Sequence, residues 1–545
     1  KACSRNLCLR EGRMVHQLII VERFERDISI GNALVDMHAK CGSLNEAELM
    51  FEMLPVRDKV SWSAIIAGYC HQGLGFVALE FFYRMQKEDV MVDKITLTSI
   101  LKACALTESL YQGMIIHDQI VRKDLNSDLV VGNALVDLYA KCASLEQAYK
   151  VFESLPKRDT ITWGAMVTGY AQHGENIPAL RFFEKMQKVG MKADEITFSS
   201  VLKACSGSGT LEQGKLLHDL VIRSGYTTDI LITNTLIDMY GKFGFLDEAR
   251  RIFDRMSYHD IVSWNAMIVG YVQHGNGFSA IELFDKMQEE GRSPDSITYM
   301  STLKACSAVG AVHHGRSIHD QIIRSGEDRD LIVGNTLVDM YASCGNLNEA
   351  CKSFERLPSR NAISWNAMIS GYSQLGSFKL LKGCLEGMQK DGFKPDGWSF
   401  TSILAACSHE GLVNEGHSYF KSIREEHGIT PSMEHFNCMI ELLGSTGRLQ
   451  EAERLLQSMP LVPDVTGWMT LLGSCRTYGD TGLGKLCFDQ AYHLDPNHAA
   501  GYVLMSNLYT DAYEGRNEDV FQQRSQGFDW IDRYEENVKK AIMSN

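Results

Sequence analysis

Apolar residues recur every three or four positions along most of this chain, in short stretches separated by glycine-containing turns. Such spacing places the apolar side chains on one face of an α-helix. Within residues 261–295 it predicts a first helix from about Trp264 to Val272, a turn at residues 274–277, and a second helix from about Ser279 to Gln288. The pattern therefore predicts pairs of helices joined by tight turns.

The pattern repeats with a period of 101 residues, as the near-copies SWSAIIAGY, TWGAMVTGY, SWNAMIVGY and SWNAMISGY show. Their tryptophans are Trp62, Trp163, Trp264 and Trp365. Each period divides into pieces of 31, 35 and 35 residues, and each piece has the pattern of one helical hairpin. A lone hairpin cannot bury its apolar face, whereas stacked hairpins form a continuous core. We therefore expect an all-α superhelical solenoid of helical-hairpin repeats, with an inner surface built from the first helices.

Composition and cysteine spacing narrow the class of protein. The 545 residues are 45% hydrophobic and 22% charged, which is typical of a chain that buries a core. No apolar run is long enough to span a membrane, so no membrane partner is predicted. No two of the 15 cysteines stand three residues apart, which removes the CxxC half-site of most structural zinc modules. Eight cysteines occupy repeat positions, so we interpret them, like the four tryptophans, as core packing residues.

The triplet of 31- and 35-residue hairpins resembles the plant organellar pentatricopeptide repeat proteins of the triplet (P, L, S) subclass. The motifs implied by this resemblance are a truncated L motif at 1–27, S motifs at 28–58, 129–159, 230–260 and 331–361, P motifs at 59–93, 160–194, 261–295 and 362–396, L motifs at 94–128, 195–229 and 296–330, then L2 at 397–432 and S2 at 433–464.

Beyond these motifs, residues 465–498 resemble the family's E1 motif and residues 499–509 the start of its E2 motif. The resemblance thus implies a repeat array at 1–464, E1 and partial E2 motifs at 465–512, and a divergent tail at 513–545. Many relatives continue into a DYW deaminase domain, but this sequence contains no HxE and CxxC set for zinc. We therefore expect no enzyme activity and no cofactor or metal in this chain, and catalysis by a partner.

Helical repeats can recognise single-stranded RNA at one base per repeat. In the resembled family the fifth and the last residue of each motif read the base. An Asn amide suits the mixed edge of a pyrimidine, with a neighbouring carboxylate fixing its orientation. The implied pairs are Asn32/Asp58, Ser63/Asp93, Thr98/Asp128, Asn133/Asp159, Gly164/Asp194, Ser199/Asp229, Asn234/Asp260, Asn265/Asp295, Met300/Asp330, Asn335/Asn361, Asn366/Asp396, Thr401/Ser432 and Asn437/Asp464. The family's pairing rules imply the order U, G, N, U, N, N, U, U, N, C, U, N, U from 5′ to 3′, where N has no assigned base.

The second residue of most motifs is aliphatic, and side chains of adjacent motifs are placed to sandwich each base by dispersion contacts. These residues are Val60, Ile95, Val130, Ile161, Ile196, Leu231, Val262, Ile297, Ile332 and Ile363. Ser29, Trp398 and Glu434 depart from the rule.

The net charge of −14 argues against a nucleic-acid partner, but aspartates at twelve motif ends account for all but two of these charges. Lysines that recur on the first helices are placed to meet phosphates: Lys102, Lys203 and Lys304 in L motifs, and Lys40, Lys141 and Lys242 in S motifs. The alternative interpretation of the Asp and Asn residues is that they only cap helices.

The function implied by the resemblance is site recognition for organellar C-to-U RNA editing, with a trans-acting DYW-type deaminase or editing accessory protein recruited through the E motifs. The implied location is the mitochondrion or the chloroplast. Three alternatives stay open: an RNA-binding factor for splicing or transcript stabilisation, a part of a longer editor, and a protein-binding scaffold.

Overall fold

The computed structural model describes residues 8–21, 27–496 and 498–514, with side chains as far as residue 511. Secondary structure in this part of the chain is helical throughout, without a strand. Contacts divide the chain into two compact units, Lys1–Gly270 and Tyr271–Asn545. Each unit is a stack of helical hairpins, which confirms the prediction of an all-α solenoid.

The first unit contains α1 to α15 and most of α16. Their bounds are α1 Leu9–Val21, α2 Ile28–Lys40, α3 Leu44–Met53, α4 Lys59–His71, α5 Gly75–Lys87, α6 Lys94–Leu106, α7 Leu110–Arg122, α8 Leu129–Lys141, α9 Leu145–Ser154, α10 Thr160–Gln172, α11 Asn176–Lys188, α12 Glu195–Ser208, α13 Leu211–Ser224, α14 Ile230–Lys242, α15 Leu246–Arg255 and α16 Ile261–Gln273.

The second unit continues the alternation of first and second helices, with one 3₁₀ turn at Glu327–Arg329. The bounds are α17 Gly277–Glu289, α18 Ser296–Val309, α19 Val312–Ser325, α20 Leu331–Ser343, α21 Leu347–Arg356, α22 Ala362–Gln374, α23 Phe378–Lys390, α24 Gly397–Glu410, α25 Val413–Glu425, α26 Met433–Ser445, α27 Leu449–Ser458, α28 Val465–Tyr478, α29 Thr481–Leu494 and α30 Ala499–Glu514.

Even-numbered helices from α2 onwards are the first helices of their motifs, and odd-numbered helices are the second. Within each unit a first helix packs against the second helix of its own motif and against the first helix of the next motif. The predicted E1 motif forms one more hairpin, α28 and α29, and α30 follows it. Most of the predicted divergent tail, residues 515–545, lies outside the described residues.

The first helices begin at the polar residue that ends the preceding motif. Asp159 shows the mechanism: its Oδ1 accepts a hydrogen bond from the backbone N–H of Thr162 at 2.9 Å, and the Thr162 hydroxyl accepts one from the backbone N–H of Asp159 at 3.1 Å. These bonds occupy backbone groups that have no partner inside the helix. Because Asp260 caps α16 in the same way, that helix begins at Ile261, three residues before the predicted start. The motif-end residues Asp159 and Asp260 are therefore helix caps.

Consecutive first helices approach closely where small residues face each other. A Cβ added to Gly169 on α10 would come within 2.6 Å of the Cβ of Ala140 on α8, which is a steric clash. A Cβ added to Gly241 would lie 3.5 Å from the α-carbon of Gly270, and a Cβ added to Gly270 would lie 3.5 Å from the α-carbon of Gly241. Glycine at these positions allows consecutive first helices to stack closely. The capping residue of one first helix thereby comes close to the side chains of the preceding first helix.

The repeated tryptophans lie in the core of the stack, as predicted. Trp62 and Trp264 are fully buried. Each tryptophan packs edge to face against a phenylalanine of the preceding second helix, with ring centroids 4.7 to 4.9 Å apart. The pairs are Trp62 with Phe51, Trp163 with Phe152, Trp264 with Phe253 and Trp365 with Phe354.

The cysteines at the L-motif position are also packing residues. Cys104, Cys205, Cys306 and Cys407 are fully buried. Burial raises the pKa of the Cys104, Cys306 and Cys407 thiols to about 12, so these groups stay protonated and unreactive at neutral pH. Cys3, the first member of the series, lies outside the described residues.

Candidate nucleic-acid interface

The second residue of most motifs forms a row of exposed aliphatic side chains. These ten residues are 45 to 64% exposed, although each lies at the start of a helix in which most other apolar residues are buried. The members are Val60, Ile95, Val130, Ile161, Ile196, Leu231, Val262, Ile297, Ile332 and Ile363. Repeated exposure of large apolar groups at one position leaves them available for a ligand with flat apolar faces.

In the S motifs the fifth and the last residue form a direct hydrogen bond. The amide Nδ2 of Asn32 donates to Oδ1 of Asp58 at 3.0 Å, and Asn234 donates to Asp260 at the same distance. Asn133 Nδ2 lies 3.1 Å from Oδ1 and 3.3 Å from Oδ2 of Asp159. The structure thus brings together pairs that are 26 residues apart in sequence.

The remaining asparagine pairs of the second unit have the same arrangement. Asn366 Nδ2 donates to Oδ2 of Asp396 at 2.9 Å, and Asn335 donates to the amide oxygen of Asn361 at 3.3 Å. In the S2 motif Asn437 makes longer contacts, 3.3 and 3.4 Å, with the carboxylate of Asp464.

Two P motifs vary the fifth residue. Ser63 replaces the asparagine, and its hydroxyl lies 3.4 Å from Oδ1 of Asp93 while it shares a 2.7 Å hydrogen bond with Thr96. Gly164 offers no side chain to Asp194, as the sequence shows. Asn265 occupies the fifth position on α16 and is buried, and Asp295 caps α18.

In the complete L motifs and in L2, no hydrogen bond joins the fifth residue to the last, unlike in the S motifs. Thr98 donates to the backbone carbonyl of Ile95 at 2.9 Å, and Asp128 accepts a 2.6 Å hydrogen bond from Lys94 instead. Among the hydrogen bonds of residues 27–496, none joins the predicted pair Thr98/Asp128 or the three equivalent pairs that follow.

Asp229 likewise does not meet its predicted partner, Ser199. The Asp229 carboxylate caps α14 and accepts a 2.9 Å hydrogen bond from the backbone N–H of Ile232. The Ser199 hydroxyl shares a 3.0 Å hydrogen bond with the hydroxyl of Thr235, one turn into that helix. Asp229 therefore caps α14, and no hydrogen bond joins it to Ser199 in the described chain. Its role in base reading stays a prediction.

Asp330 is also a helix cap. Its Oδ1 accepts hydrogen bonds from the backbone N–H groups of Ile332 and Val333, at 2.8 and 2.9 Å. The predicted partner, Met300, has no N–H or O–H to donate to a carboxylate. This carboxylate is therefore bonded to the start of α20 and not to Met300, and its role in base reading stays a prediction.

Ser432, at the end of the L2 motif, is bonded to its own neighbours and not to Thr401 as predicted. Its hydroxyl lies 2.5 Å from the carboxylate of Glu434 and 2.8 Å from Nδ1 of His435. The Thr401 hydroxyl donates to the backbone carbonyl of Gly397 at 3.1 Å. Because both hydroxyls are engaged locally, the structure does not form the predicted Thr401/Ser432 pair.

The backbone gives a physical reason for the difference between L and S motif ends. The ψ angle is 121 to 125° at the three L-motif ends Asp128, Asp229 and Asp330, whereas it is 176° at the S-motif end Asp58. The carboxylates therefore leave the helix start in different directions. L motifs present a different polar surface from S motifs.

At Asp58 and Asp260, capping and pairing use one carboxylate oxygen and leave the other available. Every hydrogen bond that Asp58 accepts from residues of the described chain goes to Oδ1, from Asn32, Val60 and Ser61. Asp260 Oδ1 likewise accepts from Asn234 and Ser263. Capping therefore does not exclude base recognition, since Oδ2 is a remaining acceptor and the amide has a second N–H donor.

Hydrogen bonds keep these aspartates ionised. Burial acts to raise the pKa of Asp58, but the backbone and hydroxyl of Ser61 and the amide of Asn32 stabilise the carboxylate more, so the pKa falls below its ordinary value. The same balance lowers the pKa of Asp159 and of Asp260. At neutral pH each pair is a charge-assisted hydrogen bond.

A third polar residue bonds to most of the asparagine pairs, and it was not identified from the sequence. The hydroxyl of the third residue in the following motif donates to the asparagine Oδ1 at 2.6 to 2.7 Å. These residues are Ser61, Thr162, Ser263, Ser364 and Ser399. The signal available in the sequence was a Ser or Thr three residues after the end of each S and P motif, with Gly467 after S2 as the exception. After the three complete L motifs the same position is aliphatic, as Val131, Ile232 and Val333.

The recurring lysines fall into two groups. In S motifs Lys40, Lys141 and Lys242 form ion pairs with the aspartate one turn earlier, Asp36, Asp137 and Asp238, at 2.8, 2.9 and 2.7 Å. Their charges are already balanced locally, which weakens the expectation that they meet phosphates. In L motifs Lys102, Lys203 and Lys304 are exposed, and no ion pair within residues 27–496 includes them.

Two further findings concern metal ions and membranes in the described part of the chain. No cluster of three or more His, Cys, Asp or Glu side chains is placed to hold a metal ion there. Of its helices, none combines the length and apolar composition that crossing a bilayer requires.

Family models match most of the repeat array. The model of the PPR repeat family matches residues 57–105, 158–207 and 259–308. The PPR repeat model matches residues 32–58, 232–261, 335–361, 363–393 and 434–461, and the pentatricopeptide repeat domain model matches residues 383–446.

Curated relatives of Arabidopsis thaliana are similar over nearly the whole chain. A chloroplastic pentatricopeptide repeat-containing protein is 35% identical over 94% of this chain and 63% of its own length. A mitochondrial one is 32% identical over 97% of this chain and 61% of its own length, so the chain spans less than two thirds of either. A putative member is 35% identical over 94% of this chain and 75% of its own length. Their names include both predicted locations, the chloroplast and the mitochondrion.

Solved structures share the fold. The crystal structure of the maize pentatricopeptide repeat protein PPR10 aligns with a TM-score of 0.54 at 16% identity, covering 89% of this chain and 82% of that chain. The structure of PPR10 in complex with an 18-nt psaJ RNA element aligns with a TM-score of 0.51, covering 90% of this chain and 83% of the other.

Proposed function

The chain belongs to the pentatricopeptide repeat family, and on that premise we propose that its motif array binds single-stranded RNA at one base per motif. The observation that carries the proposal is a polar pair flanked by two exposed aliphatic side chains. In motif 129–159 the pair is Asn133 and Asp159. Val130 lies one helical turn before Asn133, and Ile161 lies two residues after Asp159, both exposed.

This arrangement matches the chemistry of an unstacked base. Aliphatic groups contact the two flat faces of the base through dispersion, and the pair forms hydrogen bonds with its edge. The pair presents an amide N–H beside a carboxylate oxygen, which suits a base edge with an acceptor next to a donor, as in uracil. The maize protein PPR10, which has the same fold, is solved with an RNA element bound.

Binding in a defined order tests this proposal. A 13-nt RNA that follows the order implied by the family's pairing rules, U, G, N, U, N, N, U, U, N, C, U, N, U, should bind more tightly in fluorescence anisotropy than the same bases in reverse order. Equal binding of both probes, or binding of neither, would contradict sequence-specific recognition and would favour a protein-binding scaffold.

We further propose that the protein selects sites for C-to-U RNA editing in a mitochondrion or chloroplast. The support is the resemblance of residues 465–512 to E1 and E2 motifs, which in the structure continue the helical stack as α28 to α30. In this proposal the E region recruits a DYW-type deaminase or an editing accessory protein, which supplies the zinc-dependent chemistry in trans.

Loss of the gene separates editing from the other RNA-binding functions. Sequencing of organellar transcripts after gene loss should show one or a few cytidines that are no longer converted, with normal transcript ends and normal splicing. Retained introns or shortened ends with complete editing would contradict the editing function and would favour splicing or transcript stabilisation.

A further inference from the structure

We propose that the hydroxyl of the third residue in the following motif is a specificity-determining group, because it fixes which edge the base-reading asparagine presents. This inference rests on the proposed RNA recognition and adds a third residue to each base-reading pair. The hydroxyls belong to Ser61, Thr162, Ser263, Ser364 and Ser399, and all five of these residues are buried.

The site at Asn234 shows the geometry. The Ser263 hydroxyl lies 2.7 Å from Oδ1 of Asn234 and 2.9 Å from Oδ1 of Asp260. It also accepts the backbone N–H of Asp260 at 3.3 Å. A hydroxyl has one proton to donate. Asp260 Oδ1 already accepts hydrogen bonds from Asn234 and from the Ser263 backbone. The Ser263 hydroxyl therefore donates its proton to Oδ1 of Asn234, which is also the closer of the two oxygens.

This bond determines the polarity of the reading surface. With Oδ1 of Asn234 held by Ser263 and one amide N–H held by Asp260, the groups left for a base are the second N–H and the carboxylate Oδ2. They form a donor beside an acceptor. An amide rotated by half a turn would instead present its oxygen beside the carboxylate, giving two acceptors. The first arrangement suits uracil, while the second suits the exocyclic amines of cytosine and adenine.

One asparagine motif of the same chain lacks the hydroxyl. At the S2 motif the third residue of the following motif is Gly467, and Oδ1 of Asn437 is buried without a hydrogen-bond partner among the described residues. The contacts from Asn437 to Asp464, 3.3 and 3.4 Å, are longer than the 3.0 Å at Asn234. At Asn335 the contact to Asn361 is also 3.3 Å, but Ser364 still holds the Asn335 oxygen. The pair that lacks the hydroxyl is therefore the one whose amide is held least firmly.

The geometry at Gly467 allows the missing group to be added. A Cβ at this position would lie 3.0 Å from Oδ1 of Asn437 and 3.1 Å from a methyl of Leu456. A serine side chain therefore fits after a shift of a few tenths of an ångström, and its hydroxyl reaches the unpaired oxygen.

The experiment measures base preference at two nucleotides of the 13-nt RNA. Competition anisotropy uses RNAs with each of the four bases at nucleotide 7, opposite Asn234 and Asp260, or at nucleotide 13, opposite Asn437 and Asp464. In Ser263→Ala the preference for U over C and A at nucleotide 7 should fall about tenfold, the order of effect expected when a buried acceptor loses its donor. Ser263→Thr should retain the preference, and Gly467→Ser should increase it at nucleotide 13.

Controls separate specificity from stability. Ser373→Ala removes a buried hydroxyl that donates to the Ser402 carbonyl, away from any reading pair, and should leave every base preference unchanged. Loss of affinity in Ser263→Ala with an unchanged base profile, or an unchanged profile in both Ser263→Ala and Gly467→Ser, would overturn the inference while leaving RNA recognition intact. A wild-type protein without any base preference would overturn the proposed function and this inference with it.

Discussion

The amide of Asn234 donates a 3.0 Å hydrogen bond to Asp260, and the same carboxylate oxygen caps the next first helix through the backbone N–H of Ser263 at 2.8 Å. One aspartate therefore joins the reading residue of one motif to the helix start of the next. Because the cap fixes the carboxylate, the asparagine faces a preorganised partner before any ligand binds.

The first prediction concerns this fifth residue. Asn234→Ser recreates the pair that Ser63 and Asp93 form naturally, in which the hydroxyl lies 3.4 Å from the carboxylate. The family's pairing rules assign that pair to G, so preference at nucleotide 7 should shift from U toward G while the neighbouring nucleotides keep theirs. A gel-shift series with each base at nucleotide 7 checks this. An unchanged preference for U would show that the assigned register is wrong.

The second prediction concerns Trp398, which is 77% exposed at a position where ten other motifs have an aliphatic residue. Its indole offers a stacking face for the bases opposite motifs 362–396 and 397–432. Stacking of one base on an aromatic side chain contributes about 1–3 kcal/mol, so Trp398→Ala should weaken RNA binding by a factor of about 5 to 150. Anisotropy titrations measure the change.

A shortened RNA is the control for Trp398. On an RNA that lacks its last three nucleotides, wild type and Trp398→Ala should bind alike. An equal loss of affinity on both RNAs would indicate that the substitution disturbs the protein and not a stacked base.

The third prediction compares the two groups of lysines. A triple variant with glutamine in place of Lys102, Lys203 and Lys304 should bind RNA more weakly. Its slope of log K against log salt should be less steep by about 2, because each phosphate contact to a single strand contributes about 0.7 to this slope. The matched variant replaces Lys40, Lys141 and Lys242, which are already paired with aspartates. Its slope should stay close to that of the wild type. Equal effects of the two variants on the salt dependence would contradict the assignment.

The fourth prediction concerns pH and Asp339. Burial raises the pKa of this carboxyl, and Lys304 opposes the effect only in part. In the other S motifs the equivalent aspartate has a lysine one turn later, but Ser343 stands there in this motif. Because the folded protein binds the proton more tightly than the unfolded chain, stability falls as the pH rises from the unfolded pKa through the raised folded pKa.

Asp339→Asn removes that loss of stability. The variant should melt at a higher temperature than the wild type at neutral pH, with the difference narrowing as the pH falls toward the unfolded pKa of about 4. Ser343→Lys should also raise the melting temperature at neutral pH, because a helical ion pair stabilises the folded state by about 0.3–0.5 kcal/mol. A difference between Asp339→Asn and wild type that does not depend on pH would contradict the explanation.

The sequence was sufficient for features that depend on period and helical spacing. The 101-residue repeat predicts the hairpins, the buried tryptophans follow from their place in the apolar pattern, and the exposure of Ile161 and its equivalents agrees with their proposed role. Features that depend on contacts across motif boundaries could not be predicted in the same way. Ser61 and Asn32 are 29 residues apart, and only the stacking of α2 on α4 brings their side chains to 2.6 Å.

The L motifs show the same limit. The spacing of Thr98 and Asp128 is equivalent to that of Ser63 and Asp93, yet Thr98 hydrogen-bonds to its own helix and Asp128 bonds Lys94. A local hydrogen bond from threonine to the backbone competes with any distant partner.

The last residues of the other L motifs follow the same rule. Asp229, Asp330 and Ser432 each bond to groups two or three residues further along the chain and not to the predicted fifth residues. Spacing alone did not distinguish these ends from S-motif ends, because the difference lies in the backbone angle at Asp229 and Asp330 and in the local partners of Ser432. The base assignments of L motifs therefore remain predictions from the family resemblance alone, whereas those in S motifs have a defined geometry.

The central claim is that successive motifs read successive bases of an unpaired RNA. Selection from a pool of RNAs with a randomised segment that spans all thirteen proposed pairs, followed by sequencing of the bound fraction, tests it most directly. We expect enrichment of U at nucleotides 1, 4, 7, 8, 11 and 13, of G at 2 and of C at 10, with weaker preferences opposite the L motifs. A bound fraction without enriched positions, or with enrichment in the reverse order, would contradict it.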